Sequence, residues 1–78
     1  MQYDKEILRV LAEAGDEGLS VQNISRHVFN ACNSFFNPID QEEVRRYVQS
    51  YLLKNSKTAN ALLAKNKKGV YKLNANNQ

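Results

Sequence analysis

The sequence predicts an α+β domain of three helices followed by a C-terminal β-hairpin. Three observations carry this. Apolar residues recur at helical spacing in three stretches, near 3–14, 21–32 and 40–54. Gly, Asn, Ser and Pro are concentrated between those stretches. Beyond the third stretch the pattern turns to alternation around Val70–Leu73, with Gly69 just ahead of it. The expected arrangement is one domain over 1–74 with a disordered tail at 75–78, and the closing NANNQ, 74–78, is expected to fray. At 78 residues the core is small.

The first helix is expected over Tyr3–Ala14. Tyr3, Ile7, Leu8, Leu11 and Ala14 form its buried stripe, and Lys5, Glu6, Arg9 and Glu13 face out. Asp4 and Glu6 suit the positive end of the helix dipole. Gly15 fits the left-handed position that ends a helix, and Asp16–Gly18 make the turn. Leu19 is an isolated apolar residue, placed to form a very short strand that pairs with the later hairpin. Ser20 is an N-cap for a second helix, Val21 to about Cys32, with Val21, Ile24, Val28 and Ala31 or Cys32 inward and Phe29 widening the stripe. Asn33–Pro38 is a connection. Phe35 and Phe36 are too apolar for a free loop, so at least one is expected to plug the gap between helices two and three.

The third helix, DQEEVRRYVQSYLLK over 40–54, is the best marked. Asp40 and Glu43 have capping-box spacing, and Pro38 keeps the approach extended. Val44, Tyr47, Val48, Tyr51 and Leu52 make one apolar face; Arg45, Arg46, Gln49, Ser50 and Lys54 lie opposite. Asn55 is suited to a left-handed stop. The hairpin is expected as a strand near Leu62–Lys65, a tip at Asn66–Gly69 and a strand at Val70–Leu73, with Tyr71 and Leu73 inward and Val70 and Lys72 outward. Ala59–Lys65 also has good helix propensity, and a short helix there would shorten the hairpin.

Charge is divided along the chain. Residues 1–43 hold three basic and eight acidic side chains, a net −5; residues 44–78 hold eight basic and no acidic ones, a net +8. Such asymmetry points to an anionic partner for the basic half, or to two halves that neutralise each other. Arg45 and Gln49, one turn apart, have the chemistry to read guanine and adenine in a major groove, with Arg46 and Lys54 in the neighbouring row. Lys65, Lys67, Lys68 and Lys72, on or beside the hairpin tip, are placed for phosphates and would give salt-dependent affinity. Against base reading by the first turn of this helix, Asp40, Glu42 and Glu43 would be repelled by phosphates.

Catalysis finds little support. His27 has no evident partner, Cys32 ends a buried stripe, and adjacent Glu42 and Glu43 point about 100° apart on a helix. One Cys and one His make no metal-ligand set, so no enzyme, metal or cofactor is expected. No leader peptide or spanning segment is read from the sequence, and the lone cysteine suits a reducing compartment, so a cytoplasmic setting is expected, with no membrane and no small-molecule partner.

The order helix, short strand, helix, helix, hairpin resembles the winged helix-turn-helix class. More narrowly, ILRVLAEAG, LSVQNISRHV and the closing KKGVYKL look like the HARE-HTH group. The resemblance implies a winged helix whose wing is the hairpin, and binding of DNA or of chromatin-associated partners, usually beside other domains. Here the domain is expected to stand alone, and Leu62 and Leu63 occupy the region where that group carries an aromatic. The expected function is a small protein that binds double-stranded DNA and acts in transcription regulation or another DNA transaction. The alternatives are a protein-interaction module on the same scaffold and a homodimer formed through an apolar spot such as Leu53 or Phe36.

Overall fold

A computed structural model describes residues 2–58, 60–67 and 69–74, with Gln2, Asn66 and Lys67 described in their backbone only. Lys68 and the tail expected at 75–78 lie outside the described residues. The described chain is α+β: α1 (Gln2–Ala14), a 3-10 turn (Gly15–Glu17), β1 (Leu19–Ser20), α2 (Val21–Cys32), α3 (Gln41–Lys54), β2 (Leu63–Lys67) and β3 (Val70–Leu73). The strands form an antiparallel sheet in the order β1-β3-β2.

Local chemistry sets the helix ends. Ser20 Oγ accepts from Asn23 N (3.2 Å) at the start of α2, and Asp40 Oδ2 accepts from Glu43 N (3.1 Å) at the start of α3. Asn55 closes α3 differently from the left-handed stop expected of it. Its φ is −98° and ψ 13°, and both its backbone N–H and its side-chain Nδ2 donate to Tyr51 O.

The core is built from one face of each element. Ile7 and Leu11 of α1, Ile24 and Val28 of α2, and Val44, Val48 and Leu52 of α3 are fully buried, joined by Leu63 of β2 and Tyr71 of β3. Val10, left out of the expected stripe of α1, is also buried, at i+3 from Ile7. Of the alternatives at the end of α2, Ala31 is exposed and Cys32 packs on the core.

Neither phenyl ring of the α2–α3 connection plugs the gap. Phe35 and Phe36 are 92% and 94% exposed, and Ile39 packs against the core instead. The loop is braced by its own hydrogen bonds: Asn33 Oδ1 accepts from Ile39 N (2.9 Å), and Ser34 Oγ accepts from Asn37 N (2.9 Å). These bonds hold the chain in a turn that points the rings away from the helices.

Ala59–Lys65 contains no helix among its described residues; β2 begins at Leu63 and runs on to Lys67, past the expected tip boundary. The pairs Leu63↔Leu73 and Lys65↔Tyr71 are followed by Lys67↔Val70, so one extra residue makes a bulge at Asn66.

Candidate nucleic-acid interface

Successive residues of α3 turn by about 100°. With Val44, Val48 and Leu52 against the core, Arg46, Gln49 and Leu53 look outward, and all three are exposed. Arg45 lies on the flank facing α2. Lys54 lies on the flank facing α1, about half a turn away around the helix axis. The expected α3 set therefore divides: Arg45 and Gln49 lie together toward α2, Lys54 lies on the opposite flank from Arg45, and Arg46 stands between the two groups on the outer face.

Arg45 is held by a carboxylate of its own helix, Nη2 to Glu42 Oε2 at 3.0 Å. The pair is exposed on both sides, so it contributes little to stability. It partly neutralises one of the acids in the first turn. Arg45 also lines a recess of about 240 Å³ between α2 and α3, together with Gln22, Arg26, Phe29 and Gln41. Arg26, one turn after Gln22 on α2, has no ion pair among the described residues. It is absent from the set of residues expected from sequence to meet nucleic acid. The signal was present: Gln22 and Arg26 are an i, i+4 polar pair on the helix just before α3.

Asn23, on the same first turn of α2, lines a second recess with Val70 of β3, Leu19 and the acidic turn residues Asp16 and Glu17. The start of α2 thus lies between the first turns of α3 and the base of the hairpin. The bulge brings Lys67 opposite Val70, next to this junction in register.

The other lysines of the hairpin do not act as one surface. Lys65 is opposite Tyr71, and Lys72 opposite Ala64. Side chains of adjacent residues point to opposite faces of a sheet, so Lys65 is on the face of Tyr71 and Lys72 on the other. Lys65 is exposed at the edge strand; Lys72 is half-buried.

The flank of α3 toward α1 is aromatic. Tyr47 packs edge-on against Tyr3 (ring centroids 5.3 Å apart) and stacks on Tyr51 (6.5 Å, 18°). Its hydroxyl donates to Asp4 Oδ1. That hydrogen bond, with burial and the negative charge of Asp4, pushes the Tyr47 phenol up to about 12. Burial raises Tyr51 as well, with Asp4 adding to it. Burial also raises the Cys32 thiol, with Glu6 contributing, so the thiolate is disfavoured there. Among the described residues no group of three or more His, Cys, Asp or Glu could hold a metal ion, and no helix is long and apolar enough to cross a membrane.

Comparison with protein-family models, with curated proteins and with solved structures finds no match to this chain.

Proposed function

We propose that this chain is a winged-helix domain that binds double-stranded DNA, with the start of α2 and the outer sector of α3 on the duplex and the β2–β3 hairpin as a basic wing on phosphates. The order of elements and the sheet order β1-β3-β2 are compatible with that fold. One observation carries the reading. Arg45 shares a recess with Arg26 across the α2–α3 junction, and Asn23, on the same turns of α2, meets Val70 at the base of the wing. The first turns of α2 thus adjoin both the third helix and the base of the hairpin, where Asp16 and Glu17 also line the recess.

In this reading Arg26, Arg46 and the wing residues Lys67 and Lys68 meet phosphates, and Gln49 and Arg45 are nearest the bases. Arg45 would exchange Glu42 for the nucleic acid. Lys65, on the tyrosine face of the hairpin, and Lys54, on the α1 flank, contribute only to the general positive field. Transcription regulation or another DNA transaction is the role proposed for such a domain.

The test is fluorescence anisotropy with a random duplex across a salt series. Each phosphate neutralised adds about −0.9 to the slope of log K against log salt, so three or four contacts give a slope of roughly −3. Absence of any binding at low salt removes the proposal.

A second reading, a protein-interaction module on the same scaffold, is favoured by the exposure of Phe35 and Phe36.

A further inference from the structure

The α2–α3 connection displays two phenylalanines for which the fold has no use. Phe35 and Phe36 touch each other edge to face (ring centroids 5.4 Å, 84°) and are otherwise in water. Their loop is tied down: Cys32 and Ile39 pack on the core at its two ends, and Asn33 and Ser34 hold its interior by hydrogen bonds. Rings on a braced turn lose little freedom on docking, and clustered aromatics are the usual anchors of protein interfaces. The charged side chains that follow are Asp40, Glu42 and Glu43, and residues 33–39 carry no charge at all. Acids beside the rings favour an acceptor that is cationic at its rim.

A candidate acceptor lies along the second half of α3. A recess of about 500 Å³ is lined by Asp4, Tyr47, Ser50, Tyr51, Lys54 and Asn55. The stacked rings of Tyr47 and Tyr51 form its aromatic wall, and Tyr3 and Asp4 fix Tyr47 in place. Lys54 rims it, and exposed Lys57 follows in the chain. The part of α3 that lines the recess, Tyr47 to Lys54, begins about 9 Å along the axis from the helix start. Phe35 and Phe36 are almost wholly exposed and line no part of it, so the loop of one molecule does not occupy its own recess.

We propose that the chain associates head to tail with itself. Phe35 and Phe36 of one copy enter the Tyr47–Tyr51 recess of the next, and Asp40 and Glu43 face Lys54 and Lys57 there. The −5 and +8 halves of the chain supply the same complementarity at longer range. The contact is heterologous, so every added copy leaves one loop and one recess open, and growth proceeds in rows. This association uses neither Arg26 nor Arg45 and stands apart from the DNA reading.

Sedimentation velocity of the full chain over a concentration series tests it, with two exposed-residue variants checked for native circular dichroism. One blunts the loop (Phe35→Ser with Phe36→Ser); the other reverses the rim (Ser50→Glu with Lys54→Glu). The wild type rises in mass past the dimer as concentration increases, and falls back at high salt. Each variant alone stays monomeric, and an equal mixture stops at dimers, because one supplies an intact recess and the other an intact loop. A wild type that is monomeric throughout overturns the proposal. So does a rim-reversed variant that still associates, which signals symmetric loop-to-loop pairing, and so does a mixture that stays monomeric.

Discussion

The hydroxyl of Tyr47 in α3 donates to the carboxylate of Asp4 in the first turn of α1, 43 positions earlier in the chain. It is a polar tie between α1 and α3, set beside the edge-on packing of Tyr3 against Tyr47, and it fixes the aromatic flank of α3. Tyr47→Phe keeps the ring and removes the tie, so the variant loses about 1 kcal/mol at neutral pH by denaturant unfolding.

The same bond gives stability a pH dependence with a definite sign. The phenol is raised to about 12 in the folded chain against roughly 10 when unfolded. Between those values the folded state holds more protons, so stability is complete below pH ~10 and falls as pH climbs toward 12. Urea midpoints measured across that window decline in the wild type and decline less in Tyr47→Phe.

Gly18 is where two segments pass too close for a side chain. Its φ is +70°, and a Cβ there would lie 2.4 Å from the carbonyl oxygen of Tyr71. Gly18→Ala therefore strains the backbone and pushes β1 from β3, a loss of about 2 kcal/mol or more. Gly69, at φ +77°, has open space where a Cβ would go, so Gly69→Ala meets the backbone penalty alone, about 1 kcal/mol. Thermal melts of the two variants should separate by several degrees.

Leu52 and Leu53 are neighbours on α3 with opposite surroundings, one fully buried and one 49% exposed. Leu52→Ala costs about 2–5 kcal/mol, enough to unfold a large part of so small a domain, whereas Leu53→Ala stays within about 0.5 kcal/mol. Equal losses in denaturant titrations would mean that the helix is rotated from the orientation described.

The division of cations on α3 yields a test by comparison. Arg26→Glu lowers affinity for duplex DNA about tenfold or more, and Lys54→Glu changes it several times less, in anisotropy titrations at fixed low salt. A larger loss from Lys54→Glu would move the interface to the α1 flank.

Much of this architecture was legible along the chain. The caps at Ser20 and Asp40, the bounds of α2 and the apolar faces of the helices depend on residues at most four positions apart, and those relations are written in the order of residues. The candidate site was less legible. Arg45 and Gln49 could be placed on one side of α3, but whether Lys54 joined them depended on where α1 packs. Likewise, only strand register separates Lys65, on the face of Tyr71, from Lys72, on the other face. Arg26 became a candidate only when α2 and α3 were side by side.

By itself, then, the order of residues determined three amphipathic helices, their starts and a closing ribbon, because hydrophobic period and capping act over a single turn. Only the tertiary structure decided that Ile39 rather than a phenylalanine would fill the α2–α3 junction, that Tyr47 would reach Asp4, and that Gly18 would have to be bare beneath Tyr71. Those outcomes depend on distances between segments far apart in the chain. Packing sets such distances, through the competition of many side chains for one small interior.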